Sequence, residues 1–384
     1  MYDRRSFLVA GAGAAALALA PRMAFARAET DRRFVFVIQR GAADGLGTIG
    51  AVGDPAFAAA RGQLAADVAK GKKLDTLFML HPSLAATGAM YDAGEALFAH
   101  AVASPYRDRS HFDGQNVLES GGKGAYQLKD GWLNRMLGLV PSGEAKAIAL
   151  SATVPLALRG PREVASYAPS NLPEAPGDLM QRVAALYAGD SQLHGLWSAA
   201  LDTRALTSDL DRGARNAAST GTLAAKLLAP ADGARIAMIE TNGWDTHSGQ
   251  NGRLGAQLRN LDAMLAALKA GMGPAWGDTM VLVATEFGRT VAVNGTGGTD
   301  HGTGSAAMLV GGAVKGGRVL ADWPGLGQGQ LYENRDLRPT LGLDQLIAGA
   351  VASHYGTEPG RVMAALFPDA AASGRPMEGL TRTA

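Results

Sequence analysis

The chain has 384 residues, with 36 Lys and Arg against 35 Asp and Glu and a formal net charge of +1. So even a balance, with no dense basic run, removes the electrostatic argument for a nucleic-acid partner or an anionic membrane surface. Cys 0 excludes disulfides and thiol-linked lipid anchors, so stability rests on a core that 47% hydrophobic and 18% charged residues can supply.

Residues 1–26 read as a twin-arginine signal peptide. Arg4-Arg5-Ser6-Phe7-Leu8 precedes the apolar run Val9 to Ala20, and Ala24-Phe25-Ala26 supplies the small residues of a cleavage site. Ala26-Arg27-Ala28 offers a second register. The apolar run is shorter than the roughly 17–25 residues a spanning helix needs, and no later run is long and charge-free enough. The expected address is therefore the periplasm or the medium, reached by the twin-arginine export machinery, with no stable membrane insertion. Export in the folded state suits a protein that acquires a metal before it leaves.

Phe34-Val35-Phe36-Val37-Ile38 is a continuous β-branched and aromatic run, as expected of a strand buried on both faces. Comparable runs recur at Thr76 to Leu80, Ala96 to Val102, Ala147 to Leu150, Arg235 to Ile239, Met280 to Thr285 and Ala306 to Val310. Helix-like stretches separate most of them, which predicts an α/β fold with a doubly wound, mainly parallel sheet and helices on both faces. Leu254, Leu258, Leu261, Leu265 and Leu268 share one helical face, as do Leu193, Leu196, Trp197, Ala200 and Leu201. Residues of about 176–230 read as a helical insertion, and 372–384 as a loose tail. Tyr126, Trp132 and Trp197 are candidates to line a pocket or fill the core, and their bulk favours the core.

Polar chemistry gathers where strands end, the edge at which open α/β sheets bind ligands. Arg40-Gly41-Ala42-Ala43-Asp44-Gly45 follows the first strand, where Asp44 can point into the crevice or cap the next helix. Ser110-His111-Phe112-Asp113-Gly114-Gln115 places an imidazole between a hydroxyl and a carboxyl that can orient it. Gly243-Trp244-Asp245-Thr246-His247 sets a carboxylate and an imidazole two residues apart, on one side of an extended chain. Glu286-Phe287-Gly288-Arg289-Thr290 and Gly298-Thr299-Asp300-His301-Gly302 complete the group, and neither is a phosphate loop or a dinucleotide fingerprint. Asp245, His247 and His301 form a two-histidine, one-carboxylate set of the kind catalytic zinc uses. Asp44 and Glu286 are left for a second cation, or as a carboxylate pair for acid and base work.

These motifs resemble a twin-arginine-exported bacterial family of unknown function that carries R-G-x-x-D-G-L, H-F-D-x-Q, G-W-D-T-H, E-F-G-R-T and G-T-D-H-G in this order. That family looks like a distant member of the alkaline phosphatase and sulfatase superfamily. The resemblance implies one such domain over 27–371, metal ligands at Asp44, Asp245, His247 and His301, and Glu286 in place of the aspartate of an Asp-His pair. The histidine of that pair is Phe287 here, which puts the second metal in doubt. The superfamily's nucleophile falls on His111, with Ser110 as its neighbour, and His111 can equally act as acid or base beside a metal-activated water. Arg40 or Arg289 would clamp an oxyanion, or equally serve as an ordinary ion-pair partner. The implied activity is metal-dependent hydrolysis or phosphoryl or sulfuryl transfer on small anionic phosphate or sulfate esters. The alternative is a protein that keeps the sheet without the chemistry and serves envelope assembly or secretion of a partner.

Overall fold

The run at Phe34 forms the middle of strand β1 (Arg33–Gln39), and every residue of β1 is buried. Val35 and Val37 enter one core cluster while Phe34, Phe36 and Ile38 enter a second on the opposite face, so the strand is apolar throughout. The structure is a computed structural model, and it describes residues 30–140, 146–168, 177–190, 193–195, 197–198, 216–369 and 374–382. The expected leader lies outside those residues.

The remaining strands of the main sheet are β2 (Ala96–Ala103), β3 (Ala147–Leu150), β4 (Ala165–Ser166), β5 (Ile236–Thr241), β6 (Thr279–Thr285), β7 (Ser305–Val310), β8 (Arg318–Leu320) and β9 (Leu341–Gly342). They form a nine-stranded sheet in the order β8-β2-β7-β6-β1-β5-β3-β4, with β9 also paired to β2. β1 lies between β5 and β6 and runs parallel to both. β7 is antiparallel to β6 and to β2, so the sheet is mixed but mainly parallel, and β2 runs in the direction of β1.

Helices cover both faces. α1 (Ala85–Asp92), α4 (Ala217–Leu228) and α5 (Gln250–Met272) pack on the Val35 side. α3 (Trp132–Met136), α6 (Leu343–Tyr355) and α7 (Pro359–Leu366) pack on the Phe34 side, and α2 (His111–Ser120) crosses the carboxyl edge of the sheet. The leucine stripe of α5 is fully used: Leu254, Leu258, Leu261, Leu265 and Leu268 are all buried, each contributing about 1.5–3 kcal/mol. α4 lies so close to α5 that a side chain on Gly221 would come within 2.1 Å of the Met264 carbonyl oxygen.

Thr76 to Leu80 is not a main-sheet strand. Asp75 Oδ1 takes the amides of Leu77 and Phe78 at 2.8 and 2.7 Å, leaving only Met79–Leu80 to pair, in a separate three-stranded sheet with Ile49–Gly50 and Lys72–Lys73. The helical stretch 176–230 includes the helix Gly177–Tyr187, but its last part is α4, a core helix leading into β5; the stripe ending at Leu201 lies partly outside the described residues. The tail is anchored over 374–382, because Leu380 is wholly buried and its carbonyl accepts the Lys315 amide at 2.9 Å. Trp132 is core, but Tyr126 is 65% exposed. Among the described residues no helix is long and apolar enough to cross a membrane.

Candidate metal centre

The common direction of β1, β2, β5 and β6 brings their carboxyl ends to one edge, and antiparallel β7 begins there. The loops that leave or enter at this edge carry Gly41, His111, Asp245 and His247, Glu286, and Asp300 with His301. Gly41 is what lets the first and third of these loops touch. Its φ is +116°, and a Cβ there would stand 2.6 Å from the Asp245 amide nitrogen.

Three imidazoles converge on one carboxylate. Asp245 Oδ1 lies 3.0 Å from His247 Nε2 and 3.4 Å from His301 Nε2, and Asp245 Oδ2 lies 3.5 Å from His111 Nε2. The Nε2 atoms of His247 and His301 are 3.0 Å apart. One ligand atom from each of His111, Asp245 and His301 can be chosen so that all lie within 4.8 Å of one another, a group able to hold a metal ion.

The outward nitrogens decide what the inward ones present. His301 Nδ1 meets the Arg109 carbonyl at 2.9 Å, and a carbonyl only accepts, so Nδ1 carries the hydrogen. His111 Nδ1 donates to Glu286 Oε1 and His247 Nδ1 to Asp300 Oδ1, both at 2.9 Å. With each Nδ1 hydrogen engaged outward, a ring in its neutral form turns its Nε2 lone pair toward the carboxylate. Lone pairs 3.0 Å apart repel unless a proton or a cation lies between them, and His111 Nε2 is a buried atom with no hydrogen-bond partner. The contacts of Asp245 with His301 and His111, at 3.4 and 3.5 Å, fit a first-row divalent cation, because atoms arranged around zinc at about 2.0–2.2 Å stand roughly 3.3–3.6 Å apart.

The supporting charges are paired, and Glu286 and Arg289 among them are buried. Burial opposes ionisation of Glu286, but hydrogen bonds from His111, Gln115 and the Gly41 amide hold its carboxyl below the ordinary range. The Glu286 bond in turn raises His111, against the pull of burial. Burial lowers His301, and the neighbouring His111 adds to that. Asp245 is lowered in spite of burial by Arg289, whose Nη1 donates to Oδ1 at 2.6 Å. Hydrogen bonds from Asn294 and His247 lower Asp300.

The structure therefore brings together Asp245, His247 and His301, and adds His111, which sequence had set aside for acid, base or nucleophile work. Glu286 stands behind His111 as its hydrogen-bond acceptor. Phe287, where the superfamily pattern has histidine, stacks on the His111 ring with centroids 5.1 Å apart. Asp44 is not in the cluster. Its carboxylate caps the turn Gly45–Thr48 through the Leu46 amide and takes Arg61 and Gln250 as donors, so the helix-cap alternative describes it. With Asp44 and Glu286 each filled by protein donors, the second-cation pair does not form. Ser110 is the N-cap of α2 without a side-chain cap bond, and Asp113 lies 3.4 Å from the Tyr106 hydroxyl. Neither clamp candidate is an unpaired cation: Arg289 is tied to Asp245, and Arg40 pairs with Glu119 at 2.8 Å and Glu240 at 3.1 Å.

Two supports had no sequence signal. Asp336, wholly buried, holds Arg109 and Arg335, both at 2.9 Å, and these two arginines fix His301 from either side through its ring and its carbonyl. Gln250, the first residue of α5, reads in sequence as an ordinary helix start.

Fold and site together define an α/β protein with a histidine and aspartate cluster that can hold a metal at the carboxyl edge of its sheet. The chain belongs to the family described as protein of unknown function (DUF1501), which matches residues 27–367. No curated protein matches it. Among solved structures it is similar to the zinc complex of the C-terminal periplasmic domain of EcEptC from Escherichia coli, with 8% identity over 74% of each chain and a TM-score of 0.40.

Proposed function

We propose that this chain is an exported, metal-dependent hydrolase of phosphate or sulfate esters, with one divalent cation, zinc, held by His111, Asp245 and His301 and a fourth position open to water or substrate beside His247. The observation that carries the reading is the convergence of three Nε2 lone pairs on the Asp245 carboxylate, each ring locked through its Nδ1. A divalent cation there supplies Lewis acidity toward an ester oxygen and eases the ionisation of water. In this reading His111 is a ligand through Nε2 while its Nδ1 stays on Glu286, which leaves Ser110 as the neighbouring hydroxyl. Arg289 holds Asp245 in place and does not clamp substrate. The choice of ester follows from the motif resemblance, and export follows from Arg4-Arg5 and the apolar run behind them.

Elemental analysis of mature protein purified from the periplasm without chelators tests this reading. Near-stoichiometric zinc, with turnover of an aryl phosphate or aryl sulfate that chelation abolishes, is expected. Absence of metal after reconstitution would overturn it. The non-catalytic alternative is favoured by Phe287 and His111 at the two altered superfamily positions, and stoichiometric metal without turnover across an ester panel would select it.

A further inference from the structure

Gln250 Oε1 accepts two hydroxyls, from Thr246 at 2.9 Å and from Thr299 at 2.6 Å. Thr246 sits between Asp245 and His247, and Thr299 directly precedes Asp300 and His301. One buried amide oxygen thus ties together the two loops that carry three of the four converging donors. The same loops also meet through the Thr299 amide and the Thr246 carbonyl at 3.2 Å, and the Gln250 amide donates to Gly297 at 3.0 Å.

The orientation of this amide is not free. Gln250 Nε2 donates to Asp44 Oδ2, and a carboxylate only accepts, so the amide oxygen must face the threonines. Arg61 donates to the same Asp44 oxygen and also to the carbonyls of Thr290 at 3.2 Å and Val291 at 3.0 Å. Because each threonine hydroxyl gives its hydrogen to Gln250, Thr299 Oγ1 keeps a lone pair for Arg289 Nε, at 3.2 Å. Arg289 then donates to Asp245. Donor and acceptor alternate without conflict from Arg61 to Asp245, and Arg61, Asp44, Gln250, Thr246, Thr299 and Arg289 are all buried.

We infer that Gln250 is a positioning residue of the metal centre, setting the separation of Asp245 and His301, and that Asp44 sets the orientation of Gln250. This rests on the reading of the cluster as a metal centre. It gives the carboxylate after the first strand a part in that centre without making it a ligand.

The test uses the mature full-length protein and its Gln250→Met, Thr246→Val and Thr246→Ser variants. Zinc(II) affinity is measured by competition with a chromophoric chelator, ligand geometry by the visible spectrum after cobalt(II) substitution, and loop order by hydrogen exchange of 244–249 and 296–301 with no metal added. Gln250→Met keeps the volume and removes the tie; zinc affinity is expected to fall about tenfold or more, the size usual for outer partners of metal ligands, with a changed cobalt spectrum and faster exchange in both loops. Should Gln250→Met fail to fold, Thr246→Val removes a single hydroxyl isosterically and is expected to act in the same direction, with Thr246→Ser restoring wild-type values. Wild-type affinity, cobalt spectrum and exchange in Gln250→Met, or in Thr246→Val where that is the variant that folds, would overturn the inference while leaving the metal centre standing. A wild-type protein that binds neither ion would instead remove the reading beneath it.

Discussion

Asp44 and Asp245 occupy equivalent places, each in the loop after a parallel strand and each bonded to a buried arginine, yet the two regions around them differ. The Asp44 side chain is 2% exposed, and Arg61, Gln250 and the Leu46 amide use its oxygens. The Asp245 side chain is 42% exposed, takes one arginine, and otherwise faces three ring nitrogens whose hydrogens are engaged elsewhere. The position at a strand end is common to both. What separates a structural carboxylate from a candidate ligand is whether protein donors already fill it.

The largest expected effect breaks the closed region. Asp44→Ala leaves the Arg61 guanidinium buried without its partner and should cost about 3–5 kcal/mol of stability, read from urea unfolding. A loss near zero would mean that Arg61 finds water, and that the Asp44 region is as open as the other.

Acid is the next perturbation, and it contrasts the clustered histidines with two solitary ones. Burial pushes His100 down to about 4 and His354 to about 3, whereas an unfolded imidazole titrates near 6.5. Between those values the unfolded chain binds protons that the folded chain refuses. Stability present above about pH 6.5 should therefore fall as pH drops toward 4. Unfolding curves across that range should show a shallower slope for His354→Gln than for wild type; equal slopes would deny the burial effect.

In the open region, His301→Ala should abolish stoichiometric zinc while costing less than about 1.5 kcal/mol of stability, because the side chain is 27% exposed. Unchanged metal content would remove His301 from the ligand set. Glu286→Gln keeps an acceptor for His111 Nδ1 but removes its charge, and should weaken zinc binding by about tenfold, measured by chelator competition. The smallest effect is expected at the rim. Phe112, 82% exposed beside His111, should change to Ser within about 0.5 kcal/mol of wild-type stability and with no change in zinc affinity.

Much of the architecture was legible because buried parallel strands and their covering helices leave long apolar signals. The runs at Phe34, Ala96, Met280 and Ala306 became β1, β2, β6 and β7, and the leucine stripe became α5. The apolar run at Thr76 forms no main-sheet strand because a single side chain, Asp75, captures the amides a ladder needs. The tail leaves no long apolar signal, because it is anchored by one buried side chain, Leu380, and by hydrogen bonds such as those of Met377 and Arg382, none of which has a periodicity to announce it.

By itself, the sequence determined which residue types stand at the strand ends, since alternation and turn chemistry are local and survive without the fold. It brought Asp245, His247 and His301 into view in this way. Only the tertiary structure decided that His111 joins them and that Asp44 and Glu286 are already bound by other donors. That decision depends on pairings such as His111 with Glu286 and Asp44 with Gln250, which span 175 and 206 residues. Whether a carboxylate is free to bind is fixed by what the packed chain sets against it, and no local pattern encodes that.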